Sequence, residues 1–401
     1  MESRIKQFWI FIIIQIQLMG LVFIHDTYKK ILIILSLIFI STFYYRKVHY
    51  REFKLPLIFF FLCCCVNMIS CYFFRGQTFY QFLAAPDFIN MVGLLTFFTI
   101  PFFNMNISKL EKSIVVLSVI FIFCYLFQYL IYPISIFSPF KDDELTTLSR
   151  PRIPGQALLS LCYFYYLNKI HLRFSWLRLF LLSIAAIDIL ILGFRVQILV
   201  LFILTTSFII FYSRIALFRK FTLFIVFIAV LSVSSNLPVV KNKINQLVER
   251  QTSGNTFKDK DYIRYRTYDF YTHYYQKNDY ERVMGTGLPS LNGNYGKYIN
   301  DMKKEGIVWA DWGLIGLSWI LGIPGVLCII WYSLKAGFLR MDKEHYYLKY
   351  WFLFMLFGSL LSREIFRAGS FAIQGIALYM ISFIHTRYMK KHAGFSKYSL
   401  F

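Results

Sequence analysis

Seven arginines carry most of the chemistry that this sequence offers: Arg150, Arg152, Arg195, Arg264, Arg266, Arg363 and Arg367. A guanidinium stays charged at any working pH, and its planar fork grips two phosphate oxygens at once. A set of them around one interface would suit a pyrophosphate. Taken singly, each has an equally good bland reading. It could snorkel to lipid headgroups or pair with Asp142, Asp143, Glu144 or Glu364. Taken together, anion binding explains them better. Two carboxylates, Asp87 and Asp188, lie in or beside apolar stretches, where a charge is costly and often functional. Asp188 precedes Arg195 by about two helical turns if one helix continues that far, so an internal ion pair is the preferred reading. A general base is harder to find. His273 is the only histidine of the long polar segment described below, and Glu305 and Asp311 lie near its end. Asp311 could act on a hydroxyl or simply cap the helix that follows. Gly285-Thr286-Gly287 could shape a turn or approach a phosphate, but G-x-G alone is weak.

What is missing narrows the chemistry. There is no P-loop, no dinucleotide fingerprint, no H-E-x-x-H and no Cys/His cluster, so neither metal nor cofactor is expected. The seven cysteines all sit in apolar stretches, which argues against disulfides and thiolate metal sites.

The elements that must position these residues are membrane helices. The chain has 401 residues, 58% of them hydrophobic, with mean hydropathy +0.54. Its apolar blocks approach the roughly 20 residues needed to cross about 30 Å of hydrocarbon, and the alternation of a membrane barrel is absent. The pattern predicts an all-α polytopic membrane protein of twelve spans: 8–24, 31–43, 55–73, 86–103, 113–132, 153–167, 179–193, 196–212, 221–237, 308–331, 350–361 and 370–385. The N-terminus (Arg4, Lys6, then an apolar run) lacks a small-residue cleavage site and reads as a retained first span. The seventh and eighth spans form a hairpin at Gly193-Phe194-Arg195, which brings Arg195 to the surface.

Charge orients these spans. Lys and Arg total 43 against 21 Asp and Glu. In a soluble protein that excess would suggest nucleic acid. Here the basic residues gather on every second connection, as the positive-inside rule requires, with both termini cytoplasmic. The long polar segment 238–307 then lies outside, between spans nine and ten. Val239, Val240, Ile244, Leu247 and Val248 fit one short amphipathic helix in it; Tyr262, Tyr265, Tyr268, Tyr271, Tyr274 and Tyr275 fit a second, aromatic one. Those tyrosines suit the membrane interface and sugar stacking equally. No internal repeat and no matched pair of broken helices points to a secondary transporter.

Several motifs together resemble the bacterial O-antigen polymerase and O-antigen ligase superfamily. They are the hairpin Leu192-Gly193-Phe194-Arg195, the long outer loop with Arg264 and Arg266 ahead of Gly285-Thr286-Gly287, and Ala310-Asp311-Trp312-Gly313-Leu314-Ile315-Gly316 followed by Gly322-Ile323-Pro324-Gly325. The resemblance implies a fold similar to lipid-donor (GT-C-like) glycosyltransferases. It also implies a metal-independent transfer of glycan from undecaprenyl pyrophosphate to a sugar hydroxyl, on the outer face of the bacterial inner membrane. A chain-length regulator and a flippase are its implied partners. Members of the ligase branch carry a His shortly before the equivalent of Gly313. No His lies between His273 and Asp311 here, which tilts the reading to a polymerase of O-antigen, capsule or exopolysaccharide units. In that reading Arg195, Arg264 and Arg266, with Arg150, Arg152, Arg363 and Arg367, neutralise the leaving pyrophosphate. His273 or Asp311 serves as base, and the outer loop closes as a lid. A ligase, a flippase or transporter of the same lipid-linked glycan, and a structural or sensor membrane protein are the alternatives.

Overall fold

The computed structural model of the chain describes residues 2–16, 27–48, 52–131, 134, 136–137, 141–143, 146–150, 153–192, 195–212 and 263–396. Where lipid or protein interior denies the backbone water, only a helix or a closed barrel satisfies every N–H and C=O. The described chain is accordingly almost all helix. In order it forms α1 (Glu2–Ile16), α2 (Thr27–Tyr44), α3 (Lys54–Arg75), α4 (Phe79–Leu83), α5 (Pro86–Val92), α6 (Thr96–Phe103) and α7 (Ile107–Leu130). A small antiparallel hairpin of β1 (Lys141–Asp143) and β2 (Thr146–Arg150) follows, then α8 (Ala157–Leu172), α9 (Trp176–Leu192) and α10 (Arg195–Ser207). The polar segment contributes α11 (Ile263–Asp269), α12 (Asp279–Met284) and α13 (Asn294–Lys304). The chain ends with α14 (Gly313–Leu321), α15 (Ile323–Phe338), α16 (Tyr346–Gly358) and α17 (Ser370–Ser396). The small hairpin is not expected from the apolar pattern.

Three helices are long and apolar enough to cross a membrane: Lys54–Arg75, Ile107–Leu130 and the composite Pro86–Phe103. The 22 residues of α3 rise about 33 Å. Ile33–Tyr44, Arg195–Phe211 and Ile323–Phe338 are shorter apolar helices. Large apolar side chains such as Phe39, Phe73, Phe211 and Phe338 stand largely exposed, as a lipid-facing surface requires. The expected span 221–237, the amphipathic stretch 239–248 and the turn residues Gly193 and Phe194 lie outside the described residues.

Two expectations change. The stretch 308–331 is not one helix. It breaks at Gly322, whose φ of +88° closes α14, and the following Pro324 opens α15. The break has a partner: the amide N–H groups of Thr286 and Gly287 donate to the carbonyls of Trp319 and Ile320. So α14 packs with the polar segment, and only α15 descends beside α3 and α16. The second change concerns Asp188. It is fully buried on α9, but among the described residues neither carboxylate oxygen has a hydrogen-bond partner and no ion pair with Arg195 forms. The reason is local: α9 stops at Leu192 and α10 restarts at Arg195, so the continuous helix that would have aligned the two is absent.

The bundle has two chemically distinct ends. At one, Glu111 accepts from Tyr347 at 3.0 Å and faces Lys169 at 3.7 Å and His345 at 4.0 Å, while Asn168 donates to the Glu344 carbonyl. Helices α7, α8, α16 and α17 then run to the opposite end. There Gln197, Asn90, Gly155 and residues 359–370 meet.

Candidate functional site

The connection between α16 and α17 organises the second end. Ser359 caps the turn from within, its hydroxyl accepting the Ile365 N–H at 2.7 Å. The Asn90 side-chain amide donates to the carbonyls of Phe366 and Arg367 at 3.0 and 2.9 Å and accepts the Gly369 N–H at 2.9 Å. Gly155 N–H donates to the Ala368 carbonyl at 3.0 Å. From α10, the Gln197 amide donates to Ser362 Oγ at 3.2 Å and makes a shorter bond to Glu364. Three separate elements therefore grip one short segment that carries two of the predicted arginines. Glu364 is buried and ion-paired with Arg367 at 2.5 Å. Burial pushes the Glu364 carboxyl above its usual range, while Arg367 and the Gln197 bond pull it back. Arg363 is half-buried and shares the field of Asp87 with Lys303.

The turn before α14 joins this segment to the polar layer. Trp309 stacks on Phe366, ring centroids 5.6 Å apart, and the Leu314 N–H donates to the Ser359 carbonyl at 2.9 Å. Gly313 makes this approach possible. Its φ is +56°, and a Cβ there would run into the Ser359 carbonyl oxygen. On the other side of the turn, Trp312 Nε1 donates to the Arg264 carbonyl at 3.0 Å, and its ring packs against Tyr268 and Trp319. Asp311 stands exposed between these two contacts. It does not cap α14: Trp312 holds the cap position and no side chain bonds to it.

The predicted residues thus divide. Arg195 opens α10, exposed, two positions before the Gln197 that bonds Glu364. Arg195, Arg363, Arg367, Arg264 and Asp311 belong to elements in direct contact at this end. Arg150 ends β2, five residues before the Gly155 that bonds Ala368. Arg152 lies outside the described residues. Arg266 and His273 are on the polar segment but stand exposed, and His273 has Asp269 at 3.9 Å as its neighbour. The bland reading holds for Arg367: its side chain is only 12% exposed, closed against Glu364.

Sequence reasoning missed how the polar layer is fastened. Asn67, Ser70, Cys71 and Arg75 share one face of α3 at helical spacing. Asn67 donates to the carbonyls of Met284 and Ile320 at 3.1 and 2.8 Å, and Ser70 donates to Gly285 at 3.2 Å. Arg75 forks onto Glu281, Nε and Nη2 each 2.7 Å from a carboxylate oxygen, and Nη2 also reaches the Tyr275 carbonyl. Gln77 donates to Leu288 and accepts from Ser290. Around the pair, Tyr275, Tyr295 and Thr286 form a buried hydroxyl cluster. Burial is the main force that pushes both phenols well above their usual range; Tyr295 adds to it for Tyr275 and Cys71 for Tyr295. So Gly285-Thr286-Gly287 is a structural joint, not a phosphate cradle. Tyr271 and Tyr275 are core; Tyr265, Tyr268 and Tyr274 face outward. A row of polar residues at helical spacing near the end of an apolar span was the available signal.

Among the described residues no cluster of three or more His, Cys, Asp or Glu could hold a metal ion. The arrangement offers guanidiniums for an anion at one end of the bundle, the exposed carboxylate of Asp311, and exposed aromatic rings. No protein-family model matches the chain, and comparison with curated proteins gives no match either.

Proposed function

We propose that the chain is a polymerase of lipid-linked oligosaccharide repeat units, a twelve-span member of the superfamily that its motifs resemble. It would work at the outer face of the bacterial inner membrane on undecaprenyl-pyrophosphate-linked donor and acceptor. The observation that carries this reading is the convergence of Arg195, Arg363, the Arg264 backbone and Asp311 at one end of a helical bundle, on connections rather than on mid-span positions. A transporter would use charged groups along a central path, whereas the arginines proposed for this site lie on connections or at helix ends.

The chemistry follows from the residue types. The acceptor hydroxyl oxygen attacks the anomeric carbon of the donor, the bond from that carbon to the pyrophosphate oxygen breaks, and undecaprenyl pyrophosphate departs. Guanidiniums aimed at the departing anion stabilise charge as it develops. The acceptor proton passes to a base. Of the two candidates, Asp311 fits better than His273, because its turn contacts both the Arg363 segment and the Arg264 helix end.

The test is reconstitution with a defined undecaprenyl-pyrophosphate repeat unit. A ladder of lengthened lipid-linked products is expected from the wild type. Arg195→Ala should abolish the ladder without loss of membrane insertion. Normal product lengths from that variant would overturn the assignment, and unchanged substrate moved between leaflets would make the protein a flippase.

A further inference from the structure

The exposed apolar side chains of α3 trace one stripe: Leu55, Phe59, Leu62, Ile69 and Phe73 recur at helical spacing. From Leu55 to Phe73 the stripe rises about 27 Å, close to the roughly 30 Å of a bilayer's hydrocarbon core. Each end carries interfacial chemistry. Just before Leu55, the Lys54 ammonium donates to the Tyr45 carbonyl at 3.0 Å and lies 4.4 Å from the centre of that exposed ring. At the other end exposed aromatic rings gather. Tyr72 stacks on Phe79 of α4 with ring centres 4.8 Å apart, Phe74 meets Tyr280 of α12 at 5.5 Å, and Tyr80 follows Phe79 on α4.

We propose that Tyr72, Phe74, Phe79, Tyr80 and Tyr280 form a collar seated in the headgroup interface of the bilayer, and that this seat fixes the depth of the polar layer. The turn Gly285-Thr286-Gly287 and the break at Gly322 then lie at hydrocarbon depth, on the protein side of α3. The collar is independent of the polymerase reading. It concerns the surface that meets lipid and holds for any reaction at the site.

A gathering of large exposed apolar side chains marks a partner, and place and chemistry make that partner lipid. The rings continue the α3 stripe at the level where hydrocarbon gives way to headgroups. There an aromatic ring turns its apolar body to the chains and, in tyrosine, its hydroxyl to water. Phe74 and Phe79 offer a sugar no hydrogen bond. Depth makes a further demand. Asn67 and Ser70 lie about 9 and 5 Å along α3 from Phe73, toward the middle of the helix. Non-helical backbone at that depth survives only when it is buried in protein with its polar groups answered. Asn67 answers the carbonyls of Met284 and Ile320, and Ser70 that of Gly285. The N–H groups of Thr286 and Gly287 find Trp319 and Ile320. In water, solvent would serve each of these groups and the turn would need no such partners.

The experiment uses the full chain in phosphatidylcholine nanodiscs and fluorine NMR. Trifluoromethyl-phenylalanine replaces Phe79, Tyr280 or Phe61 one at a time, Phe61 being half-buried on the middle turns of α3. A nitroxide on the lipid headgroup should abolish the signals from the first two positions and spare the third. A nitroxide at mid-chain should do the reverse. If a water-soluble nickel chelate abolishes the signals at Phe79 and Tyr280 while both lipid nitroxides spare them, the collar faces water and the proposal is wrong. If the mid-chain nitroxide abolishes them and the headgroup one does not, the rings lie in hydrocarbon and the depth is wrong. Protection from the chelate only after lipid-linked glycan is added would make the rings a sugar platform instead. The unmodified chain supplies a second readout. Phosphatidylcholine with a photoreactive headgroup should leave adducts on the peptides that carry Tyr80 and Tyr280, and adducts elsewhere on the chain with none on these two would overturn the seat.

Discussion

The bidentate pair between Arg75 and Glu281 gives the most direct test of how the polar layer is attached. The side chains are 7% and 0% exposed, and the pair carries three further supports. Arg75 reaches the Tyr275 carbonyl, the Lys277 N–H donates to Glu281 Oε2 at 2.8 Å, and the guanidinium lies 4.6 Å from the Tyr275 ring centre. Replacing Arg75 by Met leaves a buried carboxylate with only an amide to answer it. Breaking one side of a buried pair costs about 3–5 kcal/mol. At about 1.4 kcal/mol per tenfold, the opening equilibrium of the layer should rise by roughly a hundred- to a few thousandfold. Hydrogen exchange reads this directly. The amides of Gly285, Thr286 and Gly287, bonded across to Glu281, Trp319 and Ile320, should exchange faster, while those of α7 and α8 keep their protection. Arg75→Met/Glu281→Leu should recover most of the loss, because no charge then remains buried. A change below about tenfold in the single variant, or a double variant no better than the single, would refute the reasoning.

Three further outcomes follow from single residues. Asp188→Leu should raise the thermal midpoint in detergent or leave it unchanged, since it removes two buried oxygens that bond to nothing among the described residues; a fall of several degrees would mean that the carboxylate has a partner. Gly322→Ala should destabilise the chain by about 2 kcal/mol or more, because φ is +88° and the new Cβ would press on the Met284 carbonyl; an unchanged midpoint would contradict the joint between α12 and α14. His345, at the opposite end, has its pKa lowered chiefly by burial, against Glu111, which favours the charged form. The unfolded state then takes up the proton first, near about pH 6.5. Stability is full above that value and is lost as pH falls through the lower folded pKa, by at most about 1.4 kcal/mol per pH unit. Stability profiles of wild type and His345→Gln should diverge only on the acid side.

Much of the fold is legible in the amino-acid sequence itself. Long apolar runs favour helices because nothing else satisfies a backbone denied water, and the expected spans 55–73, 86–103 and 113–132 coincide with the three helices long and apolar enough to cross a membrane, while 308–331 splits. The arginines are legible too, since cations on connections expected to be outer oppose the topology rule and ask for a reason. Their partners are not. Glu364 is a bland neighbour for any of several arginines by sequence, and only packing shows that it takes Arg367 and leaves Arg363. The ion pair expected for Asp188 fails for a related cause: spacing along a sequence predicts contact only while one helix continues, and α9 ends three residues too soon. The break at Gly322 is obscured because 308–331 is mostly apolar, although Gly322-Ile323-Pro324-Gly325 is itself a turn signal. What splits it is a glycine at positive φ and a set of carbonyls claimed by Thr286, Gly287 and Asn67, each far away in sequence.

These contacts change what the polar layer can do. The sequence suggests a lid that closes over the glycan. Residues 275–292 are instead bonded to α3, the turn after it and α4 by Asn67, Ser70, Arg75, Gln77 and Gln81. Lifting them breaks a buried ion pair, at about 3–5 kcal/mol, and at least five side-chain hydrogen bonds of about 1 kcal/mol each. The sum rivals the whole stability of an ordinary domain, about 5–15 kcal/mol, and no binding event at one pyrophosphate would return it. This part of the layer is therefore fixed wall. Because α14 is bonded to it and Trp309 is stacked on Phe366, the wall holds Asp311 and the Arg363 segment in one frame. If the chain is the polymerase proposed above, precision between its base and its anion site would need that rigidity, since an ångström of slack at the reacting centre costs orders of magnitude in rate. In the proposed polymerase, a glycan entering the site would meet a preformed floor.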